Sequence, residues 1–98
     1  MRKMELVRIG RRREALRKQL AEVGPVMRGT VVVLGVRNKQ PYFSVNKDGK
    51  TRLIYLGKKR AAQARVYSEN YKMLRSIVDE MTEMNMLLLK KDYAAIRR

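Results

Sequence analysis

The side chains equipped for chemistry in this sequence are cations. Arg8, Arg11, Arg12, Arg13, Arg17 and Lys18 crowd into eleven residues. On a helix, Arg8, Arg11 and Arg12 fall close together. Guanidinium forks bind phosphate oxygens in pairs of hydrogen bonds and displace counterions from nucleic acid. A second set, Arg28, Arg37, Lys39, Lys47, Lys50, Arg52, Lys58, Lys59 and Arg60, spans residues 28–60 with Asp48 as its only acid. A solvated helix face explains part of the first set, and edge-strand protection explains part of the second. Nine cations against one acid exceed what edge protection requires.

Other chemistry lacks its parts. The 98 residues hold no His and no Cys, which removes disulfides, thiolate metal sites, a Cys nucleophile and the commonest general base. No phosphate-cradling Gly loop, dinucleotide fingerprint or metal-ligand spacing occurs. Asp79, Glu80 and Glu83 lie within about one helical turn and suit a solvent face better than a two-carboxylate site. The chain reads as a binding protein that needs no cofactor or metal, not an enzyme.

With 24 Lys+Arg against 9 Asp+Glu, the net charge is +15. Such an excess repels itself and implies a polyanionic partner. The charge is polarised: residues 1–60 hold 17 basic and 4 acidic residues, and residues 61–85 hold 3 and 4. The first residues lack the apolar core of an export signal. The longest apolar runs, Val31 to Val36 and Met86 to Leu89, fall far short of the roughly 20 residues that span a bilayer. The expected location is the cytoplasm, on the nucleoid if DNA is the partner.

These cations must be held by a small α+β fold, expected to be one domain over 1–98. Leu6, Ile9, Leu16, Leu20 and Val23 set a heptad-like seam for a helix over about 3–23, with Arg13 filling its gap and Gly24-Pro25 ending it. Strands are expected over Val26–Val36, Tyr42–Lys47 and Lys50–Leu56, as an antiparallel meander. Asp48-Gly49 signals a two-residue hairpin turn. That turn sets Asn46 opposite Thr51, Ser44 opposite Leu53, and Tyr42 opposite Tyr55. Phe43, Val45, Ile54 and Leu56 then form the core face, with Arg52 near its rim. Tyr42, Ser44, Asn46, Thr51, Leu53 and Tyr55 share the more polar face. Tyr42 and Tyr55 suit either base stacking or cross-strand packing.

A long helix is expected over about 59–96, either continuous or broken near Lys90-Lys91-Asp92. Tyr67, Tyr71, Leu74, Val78, Met81, Asn85 and Leu88 step by fours and threes, and Met73, Ile77 and Met84 widen the stripe. This surface exceeds what the first helix covers. Leu74, Ile77, Val78, Met81, Met84, Asn85 and Leu88 are therefore the expected seam of a homodimer or larger assembly, with a folded-back monomer as the alternative. Asn85 would set register in such a seam or face solvent if the helix curves.

The runs Gln40-Pro41-Tyr42-Phe43-Ser44, Asp48-Gly49-Lys50-Thr51-Arg52 and Ile54-Tyr55-Leu56-Gly57-Lys58 resemble the sheet of a family of short, basic, uncharacterised prokaryotic proteins, many encoded in mobile elements near transposases. Met27-Arg28-Gly29 is similar to the turn that opens its first strand. Tyr71-Lys72-Met73-Leu74-Arg75, Glu80-Met81 and Asn85 are similar to its long helix. The resemblance covers about residues 20–89. Where many members carry a Cys-rich insertion, this chain has the short Arg37–Gln40 loop, so no metal-linked role carries over. The strands also resemble the arm-type DNA-binding domain of tyrosine recombinases, whose three-stranded sheet enters the major groove. That resemblance implies that Tyr42, Ser44, Asn46, Lys50, Arg52 and Tyr55 face DNA. No recombinase catalytic segment follows, so it implies binding alone. The reading is a nucleic-acid-binding protein, with duplex DNA ahead of RNA. The alternative is a module docking on an acidic protein or within a nucleoprotein assembly.

Overall fold

The computed structural model describes residues 3–97, with side chains described through residue 90. The element order is α1 (Lys3–Glu22), β1 (Thr30–Leu34), β2 (Gln40–Lys47), β3 (Lys50–Tyr55) and α2 (Gly57–Arg97). It is an α+β fold with one three-stranded antiparallel sheet in the order β1-β2-β3. The chain forms two compact units. One holds residues 24–73, the sheet and the first part of α2; the other holds residues 1–23 and 74–98, with α1 and the rest of α2.

The hairpin between β2 and β3 has the expected register: Tyr42 faces Tyr55, Ser44 faces Leu53, and Asn46 faces Thr51. Its turn needs two residues with positive φ, and Asp48 and Gly49 take φ of 54° and 74°. Asp tolerates that left-handed conformation better than most side chains, and Gly adopts it freely.

β1 is shorter than the Val26–Val36 run suggests. Hydrogen bonding decides where it begins. The Met27 N–H donates to the Tyr67 carbonyl at 3.1 Å. The Asn70 side-chain amide donates to the Pro25 carbonyl at 2.8 Å, and the Ser68 hydroxyl to the Gly29 carbonyl at 2.6 Å. Residues 25–29 thus bond to α2, and strand pairing starts at Thr30.

The core of the sheet unit lies on one face. Phe43, Leu56 and Ala64 are buried together, with Met27, Val31 and Val45 packed against them. Ala61, Ala64 and Ser68 are buried positions of α2. Their small side chains on one helical face let the backbone lie close over Phe43. Ile54, expected in this core, shares the Phe43 face by register but is 51% exposed. It sits on the edge strand β3, whose six residues are all exposed.

In the helical unit Ile9, Leu16 and Ile77 are buried. α2 continues without a break past Lys90-Lys91-Asp92 to Arg97. The half-buried apolar positions of α2 in this unit are Leu74, Met81, Met84 and Leu88. Val78 and Asn85 are exposed, one residue further round the helix from Ile77 and Met84. Both seams contain Leu74, Met81 and Leu88, so sequence period alone does not choose between them.

A Cβ added at Gly29 would lie 2.5 Å from the Phe43 ring and 2.5 Å from the Ser44 carbonyl oxygen. Neither the backbone nor a fully packed ring can move aside. Overpacking of this kind costs about 1–3 kcal/mol. Gly29→Ala is therefore expected to lower the unfolding free energy by that amount, read as a lower urea midpoint with an unchanged denaturant slope.

Candidate nucleic-acid interface

The side of the sheet away from Phe43 carries, by register, Thr30, Val32 and Leu34 from β1, Gln40, Tyr42, Ser44 and Asn46 from β2, and Thr51, Leu53 and Tyr55 from β3. None is charged. Tyr42 and Tyr55 meet edge to face, with ring centroids 5.6 Å apart and planes at 69°. This is a favoured aromatic geometry, so the pair packs across the strands while Tyr55 stays 52% exposed. The Thr51 hydroxyl donates to Asn46 Oδ1 at 2.7 Å. That bond uses the amide oxygen as acceptor and not the Asn46 NH2 group, which is the donor end of the side chain. Gln40 Nε2 donates to Asn38 Oδ1 at 3.0 Å, and the Tyr55 hydroxyl lies 3.4 Å from Gln40 Oε1, too long for a strong bond.

The cations lie off this face, most of them in the flanking loops and at the strand ends. Arg28 donates to the Asn46 carbonyl at 3.1 Å. Arg37 and Lys39 occupy the β1–β2 loop, and Lys47 and Lys50 flank the hairpin turn. Lys58, Lys59 and Arg60 open α2, and Arg60 Nε donates to the Leu56 carbonyl at 2.6 Å. Arg52 pairs with Val45, and Lys50 with Lys47, so both lie on the Phe43 side by register. The expectation that Lys50 and Arg52 share a face with Tyr42, Ser44 and Asn46 is therefore corrected: strand parity separates them. Gln40 and Thr51 belong to the open face and were missed as site residues, although the same parity marks them.

The basic run of α1 divides three ways. Arg12 forms a two-pronged ion pair with Glu80, with Nη2 to Oε1 at 2.7 Å and Nε to the other carboxylate oxygen. Arg13 and Arg17 line a cleft of about 400 Å³ with Gly10, Glu14, Met81 and Asn85. Arg11 and Lys18 lie on the face opposite Ile9 and Leu16, and Arg8 lies on a flank, about 100° of helix rotation per residue setting their positions; all three are exposed. Arg12 therefore leaves the expected Arg8–Arg11–Arg12 phosphate patch, because Glu80 holds it. That contact joins residues 68 apart in sequence, and no local spacing signals it.

Among the described residues the ion pairs are Arg12–Glu80 and Lys72–Glu69. The sheet-unit cations 28–60 take no acidic partner there. Of the expected dimer seam, Ile77 is buried inside the helical unit; Val78 and Asn85 remain exposed, and Leu74, Met81, Met84 and Leu88 are half-buried. Among the described residues no helix is long and apolar enough to cross a membrane, and no His, Cys, Asp and Glu cluster suits a metal ion. No protein-family model, curated protein or solved structure matches the chain.

The Arg12 hydrogen bonds, with the opposing charge beside them, hold the Glu80 carboxyl below the usual glutamate range, against a smaller desolvation effect. A lowered native pKa stabilises the fold above the unfolded value, about 4.3, and that contribution fades as pH falls through the native value. The stability difference between the natural chain and Glu80→Gln should thus be present at neutral pH and vanish under acid. Urea unfolding across pH 2–7 (a range chosen to bracket about 4.3) checks it.

Proposed function

We propose that this protein binds nucleic acid, duplex DNA in particular, through the open face of its sheet, with the outward cations of α1 adding phosphate contacts. The observation that carries the reading is the division of labour on the sheet: uncharged side chains across the open face, and cations in the flanking loops and strand ends that take no acidic partner among the described residues. Duplex recognition divides in the same way, with phosphate contacts positioning the protein and neutral donors, acceptors and methyl-contacting side chains meeting base edges. Asn46, Gln40, Ser44 and Thr51 supply the former kind of base contact, and Leu53 and Val32 suit a thymine methyl. Three strands span about 10 Å, within a major groove about 12 Å wide. The resemblance to arm-type domains, and to short basic proteins encoded in mobile elements, points the same way.

The logarithm of affinity for duplex DNA should fall with log salt by about 0.9 per phosphate contact. A fluorescence titration against duplex, single-stranded DNA and structured RNA at several salt concentrations measures this. A flat slope for all three, with binding to acidic proteins only, would replace this reading with the docking-module alternative.

The start of α2 supplies a second test. Lys58, Lys59 and Arg60 occupy its positive end, and its first turn holds no acid. Cations there oppose the helix dipole at a cost of about 0.3–1 kcal/mol each. The double variant Lys58→Glu, Lys59→Glu should therefore raise the melting temperature and weaken DNA binding together. A loss of both stability and binding would mean that these lysines hold the fold rather than the ligand.

A further inference from the structure

The two edges of the sheet differ in how they are guarded. β3 carries Lys50 and Arg52 in six residues, and charged side chains on an edge strand discourage pairing with another chain. β1 is Thr-Val-Val-Val-Leu, without charge or proline, and its register against β2 runs without a bulge. Val33 and Leu34 are 50% and 43% exposed. An apolar edge with free backbone groups is a template for another strand.

The register shows which groups are free. The Leu56 N–H donates to the Pro41 carbonyl at 3.1 Å, so Pro41 directs its backbone toward β3. Backbone direction alternates along a strand, so Tyr42 directs its own toward β1, where its partner is Val32. Thr30, Val32 and Leu34 therefore spend their N–H and C=O groups on β2. Val31 and Val33 point theirs out of the sheet.

We propose that β1 pairs antiparallel with β1 of a second copy of this chain, about a two-fold axis at Val32. Val31 then faces Val33 of the partner subunit, and Val33 faces Val31 of the partner subunit. Each pair exchanges two N–H···O bonds, four in all, because these are the residues whose groups point out of the sheet. The faces match as well: valines on the Phe43 side meet valines, and the open faces of the two sheets become continuous. The occupant is a second copy because the edge is self-complementary and uncharged. A strand of an acidic partner would find no cation on β1 to meet, in a chain that carries +15 elsewhere. That same net charge makes the copies repel, so salt should strengthen the pairing by screening. The proposal does not depend on nucleic-acid binding.

Sedimentation of the full chain without nucleic acid, at rising protein concentration and two salt concentrations, tests it. The expected result is a monomer–dimer equilibrium that shifts toward dimer at higher salt, with the Val31 and Val33 amides slowing in hydrogen exchange as dimer forms. Val33→Pro removes only an outward N–H and leaves the bonds between β1 and β2 in place. Two of four interchain bonds disappear with it, and at roughly tenfold each association should weaken by ~100-fold. Val33→Lys, which guards the edge with charge, should do the same, and decides the matter if the proline variant melts early. A natural chain that stays monomeric at every concentration overturns the proposal. So does a dimer that survives both substitutions, which would place the contact elsewhere, as on the long helix.

Discussion

The sheet unit depends on one buried ring. Phe43 is 2% exposed, and its strand parity decides which side of the sheet is closed. A chain of small residues makes room for it: Gly29 lacks the Cβ that would strike it, and Ala61, Ala64 and Ser68 are buried in α2. Once Phe43 faces the helix, Tyr42, Ser44 and Asn46 must face away, because neighbouring strand residues point to opposite sides. The make-up of the open face is thus a consequence of core packing one residue away. A register slip would bury Tyr42 and expose Phe43, so the turn at Asp48-Gly49 sets the make-up of both faces.

Electrostatics in this chain are governed by how few acids it has and where they are used. The sheet unit holds 11 basic and 2 acidic residues. Asp48 occupies the hairpin turn and Glu69 pairs with Lys72 on the same helix. The helical unit spends Glu80 on Arg12. Among the described residues the cations from Arg28 to Arg60 take no acidic partner, and those at the start of α2 are placed against its dipole. This arrangement is poor for an isolated protein and suited to one that meets a polyanion.

Much of the fold was legible in local sequence. The Asp48-Gly49 turn set the β2–β3 register residue for residue, and Gly24-Pro25 marked the end of α1 within two residues. Legibility ended where distant contacts decide. The 25–29 segment resembles a strand by composition but bonds to Tyr67, Ser68 and Asn70 of α2. The buried stripe of α2 runs through Ile77 and Met84 instead of Val78 and Asn85, a choice that a 3.6-residue period leaves open. Arg12 looked like its arginine neighbours until Glu80 reached it. The placement of Lys50 and Arg52 needed no distant contact: the hairpin register already put them opposite Tyr42, while analogy with a DNA-binding sheet had put them beside it.

The two proposed uses of the sheet constrain one another through width. Alone, the sheet is about 10 Å across and enters a groove of about 12 Å. Joined edge to edge with a second copy it becomes six strands, about 24 Å across, and no longer fits. Pairing through β1 and insertion into duplex DNA therefore exclude each other, although they use different atoms. Salt moves them in opposite directions, releasing the protein from phosphate and screening the repulsion between copies. Low salt and available duplex favour the single sheet in its groove. High salt, or protein in excess of DNA, favours the closed pair, whose apolar edges are then hidden from further chains.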